Sequence, residues 1–470
     1  ELQLAAECAK AACDDAGVNP QDIDGMITFT IDNSDEITLA RCLGVKDLAY
    51  TTRIPGGGAA AAATIFQAMA LVNAGVCKNV LIWRAMNERS QYRFGQPSTD
   101  MAGYTNGHGT GTLLWNIPFG AMTPASWGAL QAQRYLWKYG LTNADLAHVC
   151  VQQRKYAATN PKAWFYERPI TIEDHQNSRM IADPIRLLDC CQESDGGQAL
   201  VIVSAERARD LPHKPAVISG AAQGVGPQQI SMSSYYRDDI DSMPEVELVA
   251  RQLWDQAGIG PDDIDAAILY DAFTPMVLLQ LEEYGFCGRG EAKDFIADGN
   301  LELDGRLPIN THGGQLGEGY IHGVNGIAEG VRLIRGTSTN QPTKTLDNVL
   351  VTGGSPVPHS ALVLSADHAV PLGLLIGWSR LMSNLFDPLI QGLRPIPITA
   401  WLPFSIALFV ATQLFVVGVV MALWTLAQSV LWPLIKAGKA LIGAPQFADR
   451  GGRVRAVVGV SLLALALLLF

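Results

Sequence analysis

Apolar residues recur at helical spacing over residues 2–15 and again over about 245–256, and each stretch runs into the same phrase. Residues 16–27 read AGVNPQDIDGMI and residues 257–268 read AGIGPDDIDAAI. Each phrase has a glycine to close the helix, a proline to open a short acidic turn, and then a β-rich run. The match extends through a dozen aligned positions and predicts an internal duplication, with one α/β half over 1–212 and a second over 213–367. Short apolar runs predict further strands at Val80–Trp83, Ala199–Ser204, Pro215–Ser219, Asn348–Thr352 and Ala361–Leu364. Residues 58–74 are almost wholly apolar and follow Gly56-Gly57-Gly58, which predicts a helix buried on every side. The expected class is a mixed, doubly covered α/β fold. The strand Pro215–Ser219, which opens the second half, has no counterpart ahead of Glu1, so the first half is expected to lack its N-terminal strand.

The pattern changes after residue 367. Residues 395–435 contain no charged side chain, and 456–470 are a second apolar run. These predict C-terminal apolar helices, with Phe404–Leu423 as the best membrane span and a contact with the inner membrane through residues 396–470. Charge follows the same division. Seven Lys/Arg against two acids after Pro371 give that tail +5, whereas the first 370 residues carry −16 of the total −11. The positive-inside rule places the basic stretch from Lys436 to Arg455 in the cytoplasm.

An acidic body argues against a nucleic-acid partner. Only 17% of residues are charged and 48% are hydrophobic, which excludes a disordered chain. The eight cysteines form no CxxC pair, so no metal site is expected, and they suit a reduced, cytoplasmic body. No GxxxxGK[ST] phosphate loop occurs.

Three segments hold more Gly, His, Tyr and acid than packing requires: Thr52–Ala59 (TRIPGGGA), Leu269–Pro275 (LYDAFTP) and Asn310–Asn325 (NTHGGQLGEGYIHGVN). His108 lies in another polar, Gly-rich loop. In order and spacing, the duplicated halves, the glycine-led buried helix, YDAF and GGQLGEGYIHG resemble the thiolase superfamily over residues 1–366. The resemblance implies two similar halves layered α-β-α-β-α. Thiolases carry a nucleophilic cysteine at the mouth of the buried helix, and Pro55–Ala59 has none. A second family cysteine corresponds to Val351–Gly354, again without one. Tyr320 stands at the family's GHP histidine and Tyr270 at its NEAF asparagine.

This pattern resembles the lipid-transfer-protein-like aldolases of bacterial steroid side-chain degradation, most closely over 178–197 and 313–336. The resemblance implies retro-aldol cleavage of a β-hydroxyacyl-CoA that yields a 17-ketosteroid and propionyl-CoA. It also implies a homodimer working with a small OB-domain subunit. The CoA thioester is the substrate, and no cofactor is expected. Tyr270 and Tyr320 form the expected acid/base pair, with His322 and Asp271 beside them as tuning, oxyanion or loop-orienting groups. Gly57, Gly58, His312, Gly313 and Gly314 are the expected thioester-binding positions. Two alternatives stay open: a non-catalytic acyl-CoA or lipid-binding subunit, and a thiolase-like acyltransferase. Residues 393–404 resemble the coupling loop of nitrate/sulfonate/taurine-type ABC-transporter permeases, which marks 368–470 as a membrane-like, foreign tail.

Overall fold

A computed structural model describes residues 1–29, 31–91, 93–96, 116–229, 234, 236–354 and 358–367. The expected tail spans, the permease-like loop and His108 lie outside these residues. No helix among the described residues is long and apolar enough to cross a membrane.

The first half runs α1 (Leu2–Ala16), β1 (Gly25–Phe29), α2 (Glu36–Leu43), β2 (Tyr50–Ile54), α3 (Ala61–Asn73) and β3 (Asn79–Asn87). Then come α4 (Pro124–Tyr139), α5 (Asn143–Thr159), α6 (Ile172–Asn177), the small pair β4 (Met180–Ala182) and β5 (Ile185–Arg186), and β6 (Asp195–Val203). After the short α7 (Ala205–Ala208), the second half runs β7 (Ala216–Gly224), α8 (Pro244–Ala257), β8 (Ala266–Ile268), α9 (Thr274–Glu283) and α10 (Ala292–Ala297). It closes with α11 (Gly314–Gly317), α12 (Val324–Arg335), β9 (Asn348–Thr352) and β10 (His359–Ala366).

Two four-stranded sheets result, ordered β2-β1-β3-β6 and β7-β10-β9-β8. In each, the strand of the repeated phrase pairs parallel with the next sheet strand, which pairs antiparallel with a third: β1, β3, β6 and β8, β9, β10. The duplication extends to individual hydrogen bonds. Gly17 and Gly258 close their helices in left-handed conformation, at φ 68° and 66°. The Asp24 carboxylate accepts from the N–H groups of Lys78 and Asn79, and the Asp265 carboxylate from those of Asp347 and Asn348. Asn79 Nδ2 donates to Asp22 O, and Asn348 Nδ2 to Asp263 O. These acids tie the start of one strand to the start of its neighbour.

Helices α3 and α12 lie between the sheets. One apolar cluster joins Ile27 and Ile82 of the first sheet to Val349, Val351 and Leu362 of the second through Ala61, Ile65, Ala68 and Ile327. Helix α1 covers the outer face of the first sheet, and α8 with α9 covers that of the second. The body is thus the expected thiolase-like five-layer α/β fold, and Glu1–His368 form one compact unit.

Three expectations are corrected. The buried helix is enclosed on every side only over Ala61–Ile65; farther on Ala68 stays buried, but Phe66 is 37% exposed and Ala70 and Asn73 face outward. The hydrophobic pattern leaves α4 and α5 unassigned, because α5 buries Gln152, Gln153 and Arg154 and so shows no clean apolar stripe. Strand β9 matches its apolar run, Asn348–Thr352, whereas β3, β6, β7 and β10 are longer than theirs; β3 extends to Asn87 because its full length pairs with β6. At the edge where β10 pairs with β7, β6 has no partner strand among the described residues. A cavity of about 820 Å³ opens there, lined by β6, α1, α3, α12 and the start of β7.

Replacing Asp24 or Asp265 by Ala leaves two backbone N–H groups without their acceptor. Each change should cost about 1–3 kcal/mol in denaturant unfolding. The double variant should show the sum to within about 0.5 kcal/mol, because the two sites share no partner.

Candidate active site

The chain leaves β8 at Ile268 and continues through Leu269–Asp271. The Asn310 side chain fixes this segment, accepting from Leu269 N–H and donating to Leu269 O, both at 2.9 Å. Tyr270 N–H donates to Thr352 Oγ1 at 2.8 Å, and Gln280 Nε2 donates to Tyr270 O at 2.8 Å. The phenol is held at its backbone from β9 and α9, and its ring is driven inward to the mouth of α3.

Gly58 explains the fit. A Cβ at residue 58 would fall 2.0 Å from the Tyr270 hydroxyl. The phenol oxygen therefore fills the volume that a residue-58 side chain would occupy, and no residue but glycine leaves room for it. Gly354 N–H donates to Gly58 O at 3.0 Å and ties the β9–β10 turn to the same point. Gly58 begins the short 3₁₀ turn Gly58–Ala60 that leads into α3, so the first N–H groups of that turn have no intrahelical acceptor.

Tyr320 approaches from the loop between α11 and α12. Its N–H donates to Ser194 Oγ at 3.1 Å, and Asn325 Nδ2 pins the loop through Glu318 Oε2 and Gly319 O. The Tyr270 and Tyr320 hydroxyls share a hydrogen bond of 3.0 Å, with their rings edge to face. Both residues are buried, at 5% and 9% exposure. Burial pushes both phenols well above their ordinary value near 10, so neither ionises alone at neutral pH. His322 packs against the Tyr320 ring at 4.8 Å between centroids. Its Nε2 lies 3.3 Å from where a Gly57 Cβ would stand. Burial first, and then the Arg84 charge, hold this imidazole well below its usual range, so it is neutral.

The structure therefore brings together Tyr270, Tyr320, His322, Gly57 and Gly58. It places the other expected residues around them. Asp271 turns away from the phenols and accepts from Gln315 and Leu316 N–H at 2.9 and 3.2 Å, which caps α11. Burial raises its carboxyl to about 6. Gly313 and Gly314 pack against α5, where a Cβ would meet Ala157 at 2.6 Å or Gln153 Oε1 at 2.7 Å. His312 faces Glu318 at 3.8 Å, and its backbone oxygen accepts from Asn160 Nδ2.

Several contributors were not anticipated. Segment 178–197 straps the two motifs together, with Cys191 N–H donating to Ala272 O and Gln192 N–H to Gln315 O. Cys191 lies near both phenols, and burial raises its thiol far above the ordinary value, so it offers no thiolate. Glu88, just past β3, is 3% exposed, and its Oε2 has no hydrogen-bond partner among the described residues. Burial pushes its carboxyl up to about 9, so it is protonated at neutral pH; were it ionised, it would raise both phenols further. Nothing in the local sequence Arg84-Ala85-Met86-Asn87-Glu88 marks it. Cys150, His175 and Asp189 are the one buried cluster of metal-ligand type among the described residues. They bond to one another, His175 Nε2 to Asp189 at 2.9 Å and Cys150 Sγ to Asp189 at 3.3 Å.

The chain is 60% identical over 369 residues to the steroid side-chain-cleaving aldolase of Thermomonospora curvata, an alignment that covers 78% of this chain and 93% of the relative. This chain belongs to that family of thiolase-like aldolases. The 17-hydroxy-3-oxo-4-pregnene-20-carboxyl-CoA lyase of Mycobacterium tuberculosis is 56% identical over 365 residues, covering 77% of this chain and 94% of the relative. The solved structure named Ltp2-ChsH2(DUF35) aldolase matches with a TM-score of 0.74 at 59% identity, over 79% of this chain and 94% of that one. The thiolase C-terminal domain-like family matches residues 224–366. The aldolase is thus a carbon–carbon lyase on a thiolase fold.

Two outcomes follow for the aldolase. Gly58→Ala puts a methyl group into the Tyr270 hydroxyl and should lower turnover by at least about 100-fold, measured by steady-state kinetics. For Glu88, the folded state keeps a proton that the unfolded chain releases near its ordinary value of 4.5. Stability is therefore lost as pH rises between about 4.5 and 9. Glu88→Gln should match the parent Tm near pH 5 and exceed it by about 2 °C or more near pH 8.5.

Proposed function

We propose that this aldolase cleaves a β-hydroxyacyl-CoA whose acyl group is the side chain of a steroid with a tertiary hydroxyl at C17. The observation that carries the reading is the hydrogen-bonded pair of buried phenols at the mouth of α3, where no cysteine stands. The name of the M. tuberculosis relative supports the substrate class, since its compound has a hydroxyl on C17 and a CoA thioester one carbon beyond C20. Breaking the C17–C20 bond of such a compound gives a 17-ketone and propionyl-CoA.

The chemistry needs an acceptor for the hydroxyl proton, a site for the enolate charge and a donor to the α-carbon. One phenol oxygen takes the substrate's hydroxyl proton while passing its own proton to the other phenol. The electron pair of the breaking carbon–carbon bond moves into the thioester, so the charge falls on its oxygen. As it receives that proton, the second phenol gives its own to the α-carbon in the same step, and the net change is one proton moved from oxygen to carbon. Because each phenol gains a proton as it loses one, neither has to exist as a free phenolate, the state that burial penalises. Gly57 leaves the backbone open toward the thioester, Gly58 admits the Tyr270 hydroxyl, Asp271 orients the loop that carries Tyr320, and His312, Gly313 and Gly314 seat that loop on α5.

The name of the solved Ltp2-ChsH2(DUF35) aldolase supports a second subunit, and we extend the reading to a homodimer working with an OB-domain partner. The eight free thiols suit a reducing cytoplasm. The uncharged run 395–435 supports contact of the tail with the inner membrane.

The full chain, with its partner subunit, should convert a 17-hydroxy-20-carboxyl-CoA steroid into ketone and propionyl-CoA, followed by mass spectrometry. Tyr270→Phe and Tyr320→Phe should each lower turnover by about 100- to 10,000-fold while binding persists. Unchanged turnover in both variants would remove the phenols from the mechanism. Tight binding with no product from the parent chain would favour a non-catalytic acyl-CoA-binding subunit.

A further inference from the structure

His322 sits in a backbone conformation that side chains other than glycine and asparagine seldom adopt, at φ 50°. Such positions persist when their surroundings over-determine them. Here the surroundings are explicit. The Phe29, Phe94 and Tyr320 rings wall the imidazole at 6.3, 5.6 and 4.8 Å between centroids. Arg84, 2% exposed on the inner face of β3, directs its Nε at His322 Nδ1 over 3.1 Å.

The guanidinium is held independently of the imidazole. Its Nη1 pairs with Asp32 Oδ2 at 3.0 Å and reaches Glu1 Oε1 at 3.4 Å. Asp32 in turn accepts from the N–H groups of Ala85 and Ser34. An arginine side chain has donors only and does not lose its proton in proteins. The imidazole nitrogen facing it must therefore be the unprotonated acceptor, and the ring proton must sit on Nε2. That nitrogen has no hydrogen-bond partner among the described residues, and it points to Gly57 at the mouth of α3.

We propose that Arg84 is a positioning residue that fixes His322 as the Nε2–H tautomer, so that a neutral imidazole N–H donates to the thioester oxygen on which the enolate charge develops. This rests on the retro-aldol reading above and adds the oxyanion donor to it. No proton is transferred by His322. As the carbon–carbon bond breaks, its electron pair moves onto the thioester, and the N–H dipole meets the charge there while the phenols carry the proton. A neutral donor suits the task because it leaves the α-carbon's proton to the tyrosines, whereas an imidazolium would compete to protonate the enolate oxygen.

The test combines a tautomer readout with kinetics on the full chain and its partner subunit. Nitrogen NMR of histidine-labelled protein should show His322 with a pyridine-type Nδ1 and a protonated Nε2. Arg84→Met should mix the tautomers and lower kcat by about 10- to 100-fold while KM changes far less. His322→Asn keeps an acceptor for Arg84 but loses the distal donor, and should lose about 100- to 1,000-fold in kcat. His322→Gln keeps an N–H near the Nε2 position and should retain kcat to within about tenfold. A protonated Nδ1 in the parent protein overturns the proposal, as does a glutamine variant as slow as the asparagine one. If Arg84→Met fails to fold because Asp32 is left unpaired, the parent spectrum and the two His322 variants still decide. An absence of product from the parent chain with the tautomer intact would sink the lyase reading and not the assignment of Arg84.

Discussion

A phenol oxygen occupies the volume of a missing side chain, and the rest of the site is arranged around that substitution. Tyr270 reaches the mouth of α3 only because residue 58 is glycine. It stays there because Thr352, Gln280 and Asn310 hold the backbone on either side of it. Two sheets must pack against the same helix to bring these groups together. The five-layer architecture is therefore the device that puts a side chain from the second half against the backbone of the first.

Burial sets the chemistry. A solvent-exposed phenol near pH 7 is a poor base, and a buried one is poorer still when it must act alone. Under the proposed relay, coupling two buried hydroxyls at 3.0 Å would remove the need for a free phenolate, because the proton lost by one would be gained from its neighbour. The same dryness keeps His322 neutral, keeps the Cys191 thiol protonated and raises Glu88. In the proposed reaction such a centre would present neutral donors to a charge that develops only during bond cleavage, and preorganised dipoles of this kind are more effective in a dry site than in water.

The charged groups stand one shell back, and most of them act on backbone. Asp32 neutralises Arg84 and collects two N–H groups; Asp271 caps α11; Asp24 and Asp265 join strand starts in the two halves. Segment 178–197 connects the loop of one phenol to the stretch that carries the other through main-chain hydrogen bonds. Its residue types give little sign of this, since backbone groups make those bonds whatever the side chain.

The sequence by itself determined the duplication, the α/β class and the central apolar helix, and its resemblance to a known family singled out the two tyrosines. The first three are written locally, as a period or a repeated capping phrase. It also marked Gly57 and Gly58, though not the reason that Gly58 must be glycine. Only the tertiary structure decided that Asp271 and His312 support the loop, that Gly313 and Gly314 pack on α5, and that Arg84 and Glu88 belong to the site at all. Arg84 meets His322 across 238 residues of chain, and Tyr270 meets Gly58 across the interface between the two halves. Contacts of that kind come from the packing of sheets on a shared helix, and no local pattern of hydrophobic and polar residues encodes them.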